Sequence, residues 1–225
     1  MYHNDLMGLR FGWAAVWFAL AASGLRAQVI QFESGGLRYQ TLSRKGVTVM
    51  FAPLPVQLRE YSILQVGVMN GSSEVCVVRP EDFSFRQEGG TELHATPART
   101  VVGRLLQHAG RSDVIKLITT YEMSINGVAQ FRSTNGYEQR RQAALAEMGS
   151  AKLKAASAAA AIAFVAIKLA PGESTDGALF FVTSGKPLGP GWLMARAGGE
   201  VFEFESDPSS GGKVLQRRTE PPPPE

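Results

Sequence analysis

The stretch Ala155–Ser174, AASAAAAIAFVAIKLAPGES, is the most apolar run in the interior of the chain, and its reading decides the fold. Three readings compete: a membrane span, a buried helix, or a helix that runs into a strand. A spanning helix needs about 20 predominantly apolar residues. The run from Ala155 to Ile167 is shorter, carries Ser157, and is bounded by Lys154 and Lys168. Alanine has the highest helix propensity, and its small side chain lets neighbouring backbones approach. The expected element is one long helix from about Tyr137 to Val165, roughly 40 Å at 1.5 Å per residue. Its alanine face would pack on another helix or on a sheet. The β-branched Val165 and Ile167 turn the chain extended, and Pro171-Gly172 ends the helix.

On both sides of this segment the pattern is β. LRYQTL (Leu37–Leu42) alternates apolar and polar residues, SRKG turns, and VTVMFA (Val47–Ala52) returns until Pro53 and Pro55. YSILQVGVMN (Tyr61–Asn70), EVCVV (Glu74–Val78), FSFRQ (Phe83–Gln87) and TELHA (Thr91–Ala95) follow, separated by turn residues. After the apolar run come GALFFVT (Gly177–Thr183), WLMARA (Trp192–Ala197) and VFEFES (Val201–Ser206). In the last, Val201 and Glu203 point one way, Phe202 and Phe204 the other.

Between the two β blocks the period lengthens. PARTVVGRLLQHAG starts with Pro97 and stops at Gly110, with Val101, Leu105 and Ala109 on one face. SDVIKLITTYEMSING has Ser112 or Asp113 as N-cap and helical spacing, although its threonines and isoleucines also permit a strand. The two β blocks, near residues 37–96 and 168–206, therefore flank a helical block near 97–166. Neither block alone has strands enough to close a core; about nine together do. The expected architecture is mainly β: one antiparallel β-sandwich over residues 28–206, interrupted by a two- to three-helix insertion at about 97–166.

The ends read differently. FGWAAVWFALAASGL (Phe11–Leu25) has the length of a signal peptide, with Arg10 before it and small residues after it. Cleavage after Ala27 gives residues 1–27 as signal peptide and Gln28 as the first mature residue. Ala21-Ala22-Ser23 and Ala22-Ser23-Gly24 are alternative sites, and an uncleaved anchor is the competing reading. Translation from Met7 gives a better basic start than Met1, since Asp5 then drops out. This places the protein in the periplasm or outside the cell, with no membrane span after cleavage. The tail from Asp207, ending in four prolines, is too polar to build a packed core, so residues 207–225 are expected to be disordered.

The strand pair ILQVGVMNGSSEVCVVRPEDFSFR (Ile63–Arg86) resembles the framework of small immunoglobulin-like modules exported by bacteria: an extended strand, Asn with Ser, then Pro-x-Asp-Phe. LAPGESTDGALFF (Leu169–Phe181) is similar to their Leu-x-Pro-Gly…Gly-x-x-x-Phe segment. The resemblance covers about 100 residues. It implies an immunoglobulin-like sandwich with a binding or scaffolding role, and it carries over no catalytic residues. The helical insertion departs from the pattern.

Composition narrows the chemistry. The net charge is +3 with 19% charged residues, and the basic residues form no run longer than the pairs Arg140-Arg141 and Arg217-Arg218, so no nucleic-acid partner is expected. The single cysteine, Cys76, sits among valines in a strand and reads as a small buried hydrophobe. His94 and His108, the histidines outside the leader, lie on a short strand and near a helix C-terminus, with no zinc-ligand spacing around them. No catalytic, cofactor-binding or metal residues are assigned. NGS at Asn70 fits a glycosylation acceptor but reads as turn chemistry. Glu81-Asp82, Glu173 and Asp176 in turns, and Glu203 and Glu205 on one strand face, are the carboxylates from which a hydrolase could be built.

Two functional readings follow. The first is an exported, non-enzymatic envelope module that contacts a protein partner, or a second copy of itself, through the helical insertion. Phe131, Tyr137 and Trp192 are its candidate contact aromatics, with core packing favoured for Trp192. The alternatives are an exported hydrolase using the loop carboxylates, or a scaffold tethered to the membrane by its uncleaved N-terminus.

Overall fold

The computed structural model describes residues 28–125 and 150–206. Residues 1–27, read above as a signal peptide, the tail from residue 207, Phe131 and Tyr137 lie outside the described residues. The first sheet contains β1 (Ile30–Ser34), β2 (Leu37–Arg44), β3 (Val47–Leu58), β4 (Tyr61–Asn70) and β9 (Ser174–Val182), in that spatial order. The second orders β11 (Glu200–Ser206), β10 (Gly191–Ala197), β6 (Phe83–Gln87) and β7 (Glu92–His94). A two-stranded ladder joins β5 (Cys76–Val78) to β8 (Ile167–Leu169). All of these pairings are antiparallel.

The early and late β blocks interleave as the sequence predicts. β4 pairs with β9 from Tyr61↔Val182 to Met69↔Ser174, and β6 pairs with β10 from Phe83↔Ala195 to Gln87↔Gly191. The sheets face each other over Val49, Phe51, Leu64, Val66, Phe83, Phe85, Phe181, Phe202 and Phe204. Two corners are tied. Gln40 Nε2 donates to the Glu205 carbonyl at 2.7 Å, joining β2 to β11. Thr96 donates its N–H to the Phe180 carbonyl at 2.7 Å, joining the chain beyond β7 to β9.

The helical segment lies against the sheet as a layer. Helices α1 (Ala98–His108), α2 (Arg111–Ile125) and α3 (Ala151–Ile162) cover the opposite face of the five-stranded sheet. The core there takes Leu54, Leu58, Tyr61, Ile63 and Phe180 from the strands, Val101, Leu105 and Leu117 from α1 and α2, and the alanines of α3. This explains β4. A strand with one wet face alternates, but YSILQVGV is buried at every position because both its faces are covered. Tyr61 and Ile63 face the helices; Leu64, Val66 and Val68 face the second sheet.

The opening stretch is a buried helix running into an extended crossing. Helix α3 starts at Ala151, where the Ser150 hydroxyl accepts from the Leu153 N–H, and ends at Ile162. The long helix expected over 137–165 is therefore cut at both ends. Ser150, with ψ at 157°, is not helical, and Ala163 is already extended. Six of the twelve α3 residues are buried, over more than half of the helix circumference, while Ala151, Lys152, Leu153 and Ala160 are exposed. Among the described residues no helix is long and apolar enough to cross a membrane.

Beyond α3 the chain passes the open edge of β9. Ala163 bridges Ala178, and Phe164 donates its N–H to the Ala178 carbonyl at 2.9 Å. Phe164 then enters the sandwich core, edge-on to Phe83 with ring centroids 5.3 Å apart. The passage depends on Gly177, where a Cβ would lie 2.6 Å from the Phe164 Cα. One segment thus reaches both cores.

Two prolines were expected to stop the second hairpin strand at Ala52. Instead β3 continues to Leu58, with an irregular register between Pro53 and Gln57. The pairing with β4 is interrupted after Pro53 and resumes at Gln57, while at the prolines the pairing with β2 ends, its last partner pair being Gln40↔Phe51. Beyond it β2 follows β1, and the sheet forks. Strand β1 was not expected, and β8 (Ile167–Leu169) forms where Val165 and Ile167 were read as turning the chain extended, although no strand was named there.

Candidate functional site

The outer face of the four-stranded sheet is set by alternation. In β10, Leu193, Ala195 and Ala197 turn inward and are buried, so Trp192, Met194 and Arg196 must turn outward. In β11, Phe202 and Phe204 are inward, and Val201, Glu203 and Glu205 outward. The ladder then aligns these side chains in rows. Glu205, Trp192, Arg86 and Glu92 stand opposite one another on four successive strands; Glu203, Met194, Ser84 and His94 form the next row.

At the centre the Arg86 guanidinium carbon lies 5.3 Å from the centroid of the Trp192 ring, a cation–π pair. Arg86 Nη2 also donates to Glu203 Oε1 at 3.1 Å, diagonally across the rows. Both partners of that ion pair are about half exposed, so its contribution to stability is small, about 1 kcal/mol at most. The pair instead fixes the guanidinium over the indole. The favoured placement of Trp192 in the core is corrected here: its neighbours 193 and 195 fill the core, and the indole is half-buried on the surface. The Arg86 stack was not expected. The matching alternations of WLMARA and VFEFES carried the signal, since they place Trp192 on the same face as Arg196.

The remaining chemistry-bearing residues are dispersed. Asp82 Oδ2 accepts from the Arg79 N–H at 2.9 Å and shapes the 3₁₀ turn Pro80–Asp82. Glu173 Oε2 accepts from the Ala170 N–H at 2.8 Å and closes the turn before β9. Asp176 sits on the helix-facing side of β9 and accepts from Gln65 Nε2 at 3.2 Å. Glu203 and Glu205 are on the far side of the other sheet. These carboxylates do not converge on one cleft. His94 is exposed on β7, and His108 ends α1, where its carbonyl accepts from Arg59 Nη1 at 2.9 Å. Among the described residues no three His, Cys, Asp or Glu side chains gather to hold a metal ion.

Cys76 is buried, and that burial pushes its thiol pKa up, away from reactivity. Asn70 is also fully buried. Its amide nitrogen donates to the carbonyls of Glu74 (2.7 Å) and Leu169 (2.9 Å), and its Oδ1 accepts from the N–H and hydroxyl of Ser72. The glycosylation triplet is thus occupied as a turn that ties β4 to β8.

No family model and no curated protein matches the chain. A solved structure, that of the yjhA protein from Bacillus subtilis, is similar over 74% of this chain and 76% of that one, at 10% identity and a TM-score of 0.30. A likeness at that level carries no argument about fold or function.

Proposed function

We propose that the protein is an exported, non-enzymatic binding module of the cell envelope, immunoglobulin-like in its sandwich, which meets a protein partner through the outer face of its four-stranded sheet. The observation that carries this reading is the Arg86–Trp192 stack at the centre of that face, with Met194 in the next row. Indole and guanidinium side chains dominate the binding energy of protein interfaces. Here they are held together on rigid strands rather than on a loop, and the inward positions beside them are already filled. Export rests on the apolar segment at residues 11–25 and the small residues after it. A hydrolase built on the loop carboxylates has less support, because Asp176 faces the helical layer and Glu203 and Glu205 face outward from the other sheet.

Self-association through the helical segment is the second reading, supported by Leu106, Ile115 and Leu153 exposed on the three helices. The test is a photo-crosslinking residue placed at Met194, and separately at Leu153, in the full chain expressed in bacterial cells. A discrete adduct from position 194 that disappears with Trp192→Ala supports the outer face. No adduct from 194, with a dimer-sized adduct from 153, transfers the function to the helices. N-terminal sequencing of the same protein decides between cleavage after Ala27 and a retained anchor.

A further inference from the structure

The fork between β2 and β3 opens a cleft at one end of the sandwich, on a different part of the molecule from the Trp192 face. We propose that this cleft is a binding site for a single neutral sugar ring, such as the terminal hexose or N-acetylhexosamine of a glycan.

The size of the cleft comes first. Its volume is about 200 Å³, below the roughly 300–1,000 Å³ of sites for drug-sized ligands. At about 30 Å³ of liquid per water molecule it is filled by on the order of six waters, the volume that one pyranose ring displaces. The cause of the cleft is covalent. Pro53 and Pro55 carry no ladder donor, so β2 leaves β3 after Gln40↔Phe51, and the loop at Pro187–Gly189 covers the gap from the other sheet's side.

The polar lining matches hydroxyl groups. Gln31 and Gln40 are cross-strand partners on β1 and β2, and Gln57 faces them from β3. Each amide is oriented by its surroundings or left available. Gln40 spends its nitrogen on the Glu205 carbonyl, so its Oε1 remains as an acceptor. Gln57's side-chain amide meets the Ser62 hydroxyl at 2.8 Å, and because the single hydroxyl proton is also claimed by the Lys186 carbonyl at 2.7 Å, one amide atom of Gln57 is held by Ser62 and the other remains for a ligand. Ser62 is buried and is itself fixed, 2.7 Å from the Lys186 carbonyl and 3.0 Å from the Thr183 hydroxyl. The Gln40 Oε1 and the remaining amide atom of Gln57 thus line the same cleft, and vicinal hydroxyls, which both give and take hydrogen bonds, can pair with either. The apolar remainder, Pro53, Leu54 and Leu188, suits the C–H face of a pyranose. Among the described residues no carboxylate lines the cleft, which disfavours a cation, and Arg38, the charged residue among them, is exposed.

The test is protein-detected NMR on the ¹⁵N-labelled protein, following the side-chain amide signals of glutamine and the indole signal of Trp192. Glucose, N-acetylglucosamine and, as a small-polyol control, glycerol are titrated separately. The expected result is saturable movement of the Gln31, Gln40 and Gln57 signals with at least one sugar and not with glycerol. Gln57→Leu should weaken binding about tenfold, the effect of losing one hydrogen bond. Because that change also strips a partner from Ser62, Gln31→Ala on the exposed edge strand is the second variant, with an effect in the same direction and an unchanged spectrum elsewhere. Overturning results are no saturable movement with either sugar, an equal response to glycerol, or binding indifferent to both variants. Movement centred on the Trp192 indole alone also overturns this site, while the outer-face reading stands or falls on its own crosslinking test, so the two proposals fail separately.

Discussion

Replacing Gly177 by alanine adds one methyl group, yet it should be among the most damaging single changes in the protein. The ideal Cβ falls 2.6 Å from the Cα and 2.7 Å from the N of Phe164, and both are backbone atoms that cannot rotate away. Ordinary contact begins near 3.4 Å, so the crossing segment must retreat by close to an ångström. That retreat strains the 2.9 Å bond from the Phe164 N–H to the Ala178 carbonyl and lifts the Phe164 ring from its seat against Phe83. Overpacking costs typically 1–3 kcal/mol, and a weakened buried hydrogen bond adds about 1 kcal/mol. A loss of about 3 kcal/mol corresponds to a Tm lower by roughly 6–12 °C for a chain of this size. The internal control is Gly103→Ala. Gly103 lies inside α1 with a negative φ and no atom within 4 Å of the added methyl. There the same chemical change should stabilise by about 0.5–1 kcal/mol, through helix propensity and a less flexible unfolded chain. Guanidinium unfolding followed by far-UV circular dichroism measures both. If Gly177→Ala leaves the midpoint within the error of the parent, or if both alanines act in the same direction, the close passage of residues 163–164 over β9 is wrong.

The other expectations rest on separate parts of the fold. Phe164→Ala should cost about 3–5 kcal/mol as an unfilled core cavity, seen in the same unfolding curves. Asn70→Ala should cost about 2–4 kcal/mol, because the buried carbonyl of Leu169 and that of Glu74 lose their donor. Arg86→Ala should change stability by less than about 1 kcal/mol while altering the emission of Trp192, the one tryptophan outside the proposed leader. Burial, with Asp176 nearby, pushes the Tyr39 pKa up to about 12. The folded state therefore holds that phenolic proton more tightly than the unfolded chain does. The contribution is whole below pH about 10 and is lost as the pH rises towards about 12. Tyr39→Phe should flatten the fall of the unfolding midpoint across that window.

What the sequence revealed follows from what its patterns encode. Short-range alternation placed β4 and β6 with their correct bounds, and Pro97 with Gly110 bracketed α1. Return of the two-residue period after the helices correctly implied that late strands complete the early sheets. Alternation cannot report a second covered face. The continuous burial of YSILQVGV was the trace of the third layer, because a one-sided strand would have shown polar residues at alternate positions. The prolines misled because a proline reports a missing donor without saying which edge of the strand needed it. In β3 the pairing with β2 ended at the prolines while that with β4 resumed at Gln57, so the strand continued and the sheet split. Trp192 misled through its size: its large apolar area suggested the core, but the side chain is only partly buried and lies under the Arg86 guanidinium. The cleft was invisible in sequence, since Gln31, Gln40 and Gln57 meet only once the register of three strands is known.

The central claim is that the helical segment is a structural layer, sharing one cooperative interior with the strands it covers. Native-state hydrogen exchange measures this most directly. The account predicts that amides of residues 155–162 in α3 exchange with the same opening free energy as those of residues 61–68 in β4, both through global unfolding. If α3 opens several kcal/mol more easily than β4 while β9 stays protected, the helices are an appended arm and the three-layer account is contradicted.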